Sequence, residues 1–128
     1  MVFAFDWGGT LENHESIRKL AREFHAAGHI VCLVPALSLV YGDESALPFY
    51  REKMLELGIP NAPIYRVGDQ DVPACKVNIL KRIEADYFWD DNHDNVKAAI
   101  EAGIKAYHVD DCFPVDSACY FYPYIDRG

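Results

Sequence analysis

Short apolar runs alternate along this chain with stretches that are apolar on one face only. Val2 to Phe5 is continuously apolar, which predicts a strand buried on both sides. Ile17, Leu20, Ala21 and Phe24 then recur at i, i+3, i+4 and i+7, one face of a helix that begins near Asn13 and closes at Gly28. Ile30 to Val34 predicts a second buried strand, and Leu47, Tyr50, Met54 and Leu57 a second helix that stops at Gly58, with Pro60 barring its continuation. Ile64 to Val67 predicts a third strand, and Val77, Leu80 and Ile83 a third helix. Tyr87 to Trp89 predicts a fourth strand, Val96, Ala99 and Ile100 a fourth helix, and Lys105 to Val109 a fifth strand.

Strands alternating with helices imply a parallel sheet covered on both faces, because each right-handed crossover packs its helix against the sheet. The expected fold class is therefore α/β: a three-layer sandwich around a five-stranded parallel sheet, Rossmann-like. A chain of 128 residues is one domain with room for a real core and little else. Residues 110–128 carry Pro114, Pro123 and several aromatics without a period, which predicts an irregular tail.

Composition narrows the partners. Hydrophobic residues at 51% and charged ones at 25% are the balance of a globular chain rather than a disordered one. A net charge of −8 disfavours a broad nucleic-acid groove or an anionic membrane surface, and leaves a small phosphate site open. No apolar run approaches the roughly 20 residues of a membrane span; the longest, around Ile30 to Leu39, is broken by Pro35 and Ser38. Residues Met1 to Asp6 lack a basic leader and a cleavage site, and Cys32, Cys75, Cys112 and Cys119 form no CxxC pair. The expectation is a cytoplasmic protein with reduced cysteines, Cys32 acting as a small hydrophobe inside its strand.

In open parallel sheets ligands bind beyond the carboxyl ends of the strands, where strand order reverses. The first strand ends in Asp6-Trp7-Gly8-Gly9-Thr10 and the fourth in Asp90-Asp91-Asn92. If the first strand is central, with the second and third to one side and the fourth and fifth to the other, three carboxylates converge across the crevice. Taken singly, an Asp before Gly-Gly is a common turn residue, and Asp-Asp-Asn before a helix is a common cap. Taken together, they predict a hard oxygen site for Mg²⁺. Lys76, at the start of the third helix, would bring positive charge to a bound phosphate, or else is a solvated helix-end lysine like Lys53, Lys81 and Lys97.

These residues resemble the haloacid dehalogenase-like superfamily. The likeness rests on an apolar strand with Asp6 and then Gly9-Thr10-Leu11, a second buried strand, Lys76, and Asp86 to Asn92 followed by Asn95, Ala98-Ala99 and Gly103-Ile104. It covers roughly residues 1–109 in order. The resemblance implies that Asp6 is a nucleophile forming an aspartyl-phosphate and also a metal ligand. It makes the Gly8 carbonyl and Asp91 the other Mg²⁺ ligands, and Asp90 the acid that orients Lys76. Trp7, Gly8, Gly9 and Thr10 of the turn, with Lys76, would hold the phosphate.

Two positions depart from the family pattern. The general acid expected two residues after the nucleophile is Gly8, which can transfer no proton. The Ser or Thr that ends the second strand and binds phosphate is replaced by Val34-Pro35, leaving Ser38 as the nearest hydroxyl. Loss of acid and base help slows such chemistry by about 10²–10⁴. Glu12, His14 and His93 are nearby proton donors in sequence, although a helix-start acid and surface histidines are the plainer reading of each. Phosphonate-cleaving members resemble Asp6 to Thr10 closely, but they use a lysine from an inserted cap, and only about one helix fits between Asp6 and Val34. Neither that interval nor Leu39 to Cys75 has room for a lid, which implies a capless, open site. Open-site relatives act on large substrates or oligomerise, so a homo-oligomer is one expectation. The stretch from Met54-Leu55-Glu56-Leu57-Gly58-Ile59-Pro60 through Arg66, Gly68-Asp69 and Lys76 is distantly similar to the phosphatase part of polynucleotide kinase-phosphatases.

Two functions follow as expectations. One is a Mg²⁺-dependent phosphohydrolase acting slowly on a phosphomonoester such as a nucleotide or a terminal phosphate. The other is a catalytically silent binding or regulatory module. A receiver domain fits poorly, since its acidic pair would follow the first strand and its phosphoacceptor the third.

Overall fold

The computed structural model describes residues 1–36, 42–67 and 71–111. Four strands form on the continuous apolar runs: β1 (Val2–Phe5), β2 (Ile30–Leu33), β3 (Tyr87–Asp90) and β4 (Lys105–His108). All pairings are parallel and the order is β2-β1-β3-β4, so β1 lies inside the sheet and strand order reverses between β1 and β3. Side chains alternate across the sheet. Phe3, Phe5, Tyr87 and Trp89 enter one core, while Ala4, Cys32 and Phe88 enter the other.

Helices cover both faces, as the α/β expectation required. α1 (Glu15–Ala26) buries Ile17, Leu20, Ala21 and Phe24 in the first core. α2 (Gly42–Glu56) adds Ala46, Tyr50 and Met54 to it. α3 (Val72–Arg82) and α4 (His93–Glu101) close the second core through Leu80, Val96 and Ala99. α1 stops at Gly28, whose φ of +89° lets Gly28 N donate to His25 O and His29 N to Phe24 O, both orphan carbonyls of the last turn. Ile100, assigned by its spacing to the buried face of α4, is 55% exposed.

The sheet has four strands among the described residues, not five. Residues 64–67 lie beside β2 as two isolated parallel bridges, Leu33 with Ile64 and Ala36 with Val67. Proline explains the gap. Leu33 N donates to Pro63 O and Tyr65 N to Leu33 O, and Val67 N donates to Pro35 O further on. The missing rung between them needs an N–H from residue 35 to Tyr65 O, and Pro35 has none. β2 accordingly ends one residue short of the predicted Val34. β3 instead runs one residue past Trp89, so that Asp90 closes the strand.

Cys32 is fully buried, and burial pushes its thiol up to about 12, in keeping with a small hydrophobe. Cys75 likewise forms no disulfide among the described residues. Ser38, Cys112, Cys119 and nearly all of the tail assigned to residues 110–128 lie outside the described residues. Among the described residues no helix is long and apolar enough to cross a membrane.

The first core is dominated by stacked rings, Phe3 on Phe24 at 3.8 Å and 9°, with Trp89 5.8 Å from Phe24. Phe24→Ala should therefore lower the unfolding free energy by about 3–5 kcal/mol in urea titrations. A loss under about 1 kcal/mol would mean that this stack is not packed as described.

Candidate functional site

Asp6 leaves β1 still joined to the sheet, its N–H donating to Trp89 O at 2.9 Å. The chain then turns tightly through Trp7–Leu11, with Gly9 at φ +73°. Asp90 closes the neighbouring strand β3 and is fully buried. Lys76 reaches both from the first turns of α3. Its side chain is 1% exposed, and Nζ donates to Asp6 Oδ1 at 2.8 Å and to Asp90 Oδ2 at 2.9 Å. It is therefore not a solvated helix-end lysine.

The carboxylates are held from several sides. Asp90 also accepts from Asn95 Nδ2 at 3.0 Å and from Asn92 N at 3.0 Å. Thr10 Oγ1 donates to Asp6 Oδ2 at 3.4 Å. Asn92, not either aspartate, caps α4, its side chain accepting from Asp94 N and Asn95 N. Asp91 is thereby left free to face the crevice, and ligand oxygens of Asp6, Asp90 and Asp91 lie within 4.8 Å of one another. Its main chain is fixed by His108 at the end of β4, whose Nε2 is 2.7 Å from Asp91 O.

One lysine faces three carboxylates, and the titration behaviour follows. Burial pushes Asp6 up to about 8, against the pull of Lys76 and with repulsion from Asp90. Asp91 is raised as well, chiefly by partial burial. For Lys76 burial favours the neutral form, but attraction to Asp6 and Asp90 prevails and holds the ammonium above its usual range. The shortage of positive charge thus falls on Asp6 and Asp91, and a hard cation among their oxygens would relieve it.

A cavity of about 560 Å³ opens onto this cluster. Asp6, Trp7, Gly8, Lys76, Asp90 and Asp91 line it, so the structure brings these expected residues together. Gly9 and Thr10 stand behind the lining: Thr10 is fully buried with its hydroxyl on Asp6, and Gly9 N faces Glu12 Oε1 at 3.4 Å. This contact makes Thr10 a support for Asp6. Of the alternative proton donors only Glu12 lines the cavity. His14 precedes α1, and His93 stacks on His108 at 3.8 Å and 2°. Sequence reasoning did not reach His108 or give Asn95 a part. The available signals were a polar residue ending a strand and an amide in the first turn of the helix after Asp90.

No protein-family model and no curated protein sequence matches this chain. Solved structures do. An uncharacterized protein from Corynebacterium glutamicum is 18% identical with a TM-score of 0.62, over 97% of this chain and 93% of that one. A D,D-heptose 1,7-bisphosphate phosphatase from B. bronchiseptica, complexed with magnesium and phosphate, is 18% identical with a TM-score of 0.64, over 84% and 79% of the two chains. The corresponding phosphatase from Burkholderia thailandensis is 17% identical with a TM-score of 0.57, over 80% and 74%. The fold is haloacid dehalogenase-like.

Within this haloacid dehalogenase-like fold the two adjacent glycines differ in kind. Gly9 has a positive φ, and a Cβ there would stand 2.7 Å from Asp91 Cγ. Gly8 has φ −61° and ψ 122°, open to any residue, and a Cβ there meets nothing within 4 Å. Gly9→Ala should therefore cost about 1–2 kcal/mol from the backbone alone and displace Asp91, whereas Gly8→Ala should stay within about 1 kcal/mol. Paired thermal melts would test this, and equal losses would contradict the turn geometry.

Proposed function

We propose that this protein is a Mg²⁺-dependent phosphohydrolase that takes the phosphoryl group of a phosphomonoester onto Asp6. The observation that carries the reading is the buried Lys76 ammonium shared between Asp6 and Asp90 at the mouth of an open cavity. Such a lysine both orients Asp6 and presents charge where phosphoryl oxygens would lie. The likeness to a phosphatase complexed with magnesium and phosphate lends support.

The donor set fits the metal: clustered carboxylate oxygens, two of them on groups pushed up chiefly by burial. Asp6, the Gly8 carbonyl and Asp91 would hold Mg²⁺, which when bound offsets negative charge on the phosphoryl group. In the reaction Asp6 Oδ attacks phosphorus and the bond to the leaving oxygen breaks. Lys76 and the backbone of Trp7 and Gly8 steady the equatorial oxygens. Water then attacks phosphorus, the bond to Asp6 breaks, and the carboxylate is regenerated. Asp90, satisfied by Lys76, Asn92 and Asn95, keeps the ammonium in place. The interval between β1 and β2 holds only a turn and α1, in keeping with an uncapped site. The substrate is a phosphomonoester, with nucleotides and terminal phosphates as candidates, and the cytoplasm is the expected location.

Gly8 favours a second reading, a phosphate-binding module without turnover. Phosphate release with Mg²⁺ from nucleotides, sugar phosphates and phosphorylated oligonucleotide ends separates the two. Wild type should release phosphate slowly, Asp6→Asn should fall to background, and Gly8→Asp should gain up to about 10²–10⁴-fold. Silence in wild type and both variants would leave the binding module.

Metal binding should depend on pH. With Asp6 pushed up to about 8, protons compete with the cation below that pH. The apparent Mg²⁺ affinity, read by calorimetry, should rise roughly tenfold or more from pH 6 to 8 and then level off. An affinity flat across that range would remove Asp6 from the ligand set.

A further inference from the structure

Gly8 brings no side chain to the cavity, but a carboxylate stands beside it. Glu12 closes the turn that follows Asp6, and its N–H donates to Trp7 O at 3.0 Å, which folds the chain back over the two glycines. The Glu12 side chain returns along the same path. Its Oε1 stands 3.4 Å from Gly9 N, the nitrogen of the peptide that joins Gly8 to Gly9. Nothing lies within 4 Å of where a Gly8 Cβ would be, so the space next to this carboxylate is open. Glu12 and Gly8 line one cavity with Asp6, Lys76 and Asp91.

The other acids of that cavity are differently placed. Asp90 is satisfied by Lys76, Asn92 and Asn95, and Asp6 and Asp91 are the proposed metal ligands. Asp94 belongs to the first turn of α4, past the Asn92 cap. Glu12 is exposed, its contact with Gly9 N is long, and among the described residues no ion pair ties its carboxylate elsewhere. Arg18 and Lys53 line a neighbouring cavity with Glu12, but Arg18 donates to the carbonyls of Leu11 and Glu12, and Lys53 pairs with Glu56 at 3.6 Å.

Resting on the phosphohydrolase reading, we infer that Glu12 is the proton donor and acceptor of the reaction, reaching from four residues further along the chain into the space left by Gly8. As the Asp6 oxygen bonds to phosphorus, the electron pair of the breaking ester bond goes to the leaving oxygen. That oxygen takes the proton of the Glu12 carboxylic acid, directly or through one water. The alcohol departs and Glu12 is left as a carboxylate. Water then bonds to phosphorus and gives a proton to Glu12, while the electron pair of the bond to Asp6 returns to the aspartate. Inorganic phosphate leaves and both residues end as they began. An exposed side chain on a long contact is held less firmly than a donor fixed at position 8, in keeping with slow turnover.

The leaving group separates proton transfer from a structural role. A phenol ionises at about 10, as in tyrosine, whereas an alcohol is closer to water at about 15.7, so a phenolate departs with far less help than an alkoxide. Phenyl phosphate and cyclohexyl phosphate are alike in size and charge and differ in this respect. In Glu12→Gln with Mg²⁺, kcat/KM for cyclohexyl phosphate should fall about 10²–10⁴-fold, and that for phenyl phosphate by less than about tenfold. Gln keeps an oxygen for Gly9 N, so its thermal melt should match wild type. Adding Gly8→Asp to Glu12→Gln should restore cyclohexyl phosphate hydrolysis, with a gain at least about tenfold larger than Gly8→Asp gives in wild type. Equal losses on both esters, no loss, or the same split in Asp94→Asn instead would each overturn the Glu12 assignment while leaving the phosphohydrolase standing. A silent wild type with an active Gly8→Asp would likewise remove Glu12 and leave a phosphoryl site without its acid. Hydrolysis of neither ester by wild type or by Gly8→Asp would overturn both.

Discussion

An ammonium group 1% exposed, held between two buried carboxylates, is the constraint on which the site depends. Lys76 joins three elements that sequence leaves far apart: the end of β1, the end of β3 and the first turns of α3. Removing one partner of such a buried pair typically costs about 3–5 kcal/mol, because a charge is left without compensation. Two short contacts, with the Phe88 ring 5.6 Å from Nζ, therefore hold α3 in one position against the sheet.

That fixed centre accounts for the different fates of the two adjacent aspartates. Asp90 ends β3, points inward, and has its oxygens satisfied by Lys76, Asn92 and Asn95. Asp91, one residue on, lines the cavity, with its carbonyl held by His108. β3 ends at Asp90, so Asp91 belongs to the bend beyond the strand. Asn92 then starts α4, so that the helix cap and the acid cluster use different side chains. Asp91 is thus free to meet whatever enters the cavity.

The glycine pair makes a related point about chemistry. Gly9 is demanded by its backbone and by the closeness of Asp91, so its reason is conformational. Gly8 is under neither demand. A side chain would fit there, and its absence changes what the cavity can do rather than how the chain folds.

Much of this was legible in the sequence, and the limit is physical. Continuous runs such as Val2 to Phe5 announce strands because both faces of a parallel sheet are dry, and the spacing of Ile17, Leu20 and Phe24 announces a helix because one face is. The convergence of Asp6, Asp90 and Asp91 was also readable, since ligands gather where strand order reverses. The broken rung at Pro35 was not. The proline is visible in the sequence, but the carbonyl it fails to serve, on Tyr65, is identified only once β2 and residues 64–67 are in register. Lys76 looks like Lys53, Lys81 or Lys97 on the page, and His108 like any strand-end histidine. Local periodicity determined which faces would be dry and hence the elements and their layering. Which polar groups meet across 70 residues of chain was decided by tertiary packing, because a buried charge is tolerated only where its partners are brought to it.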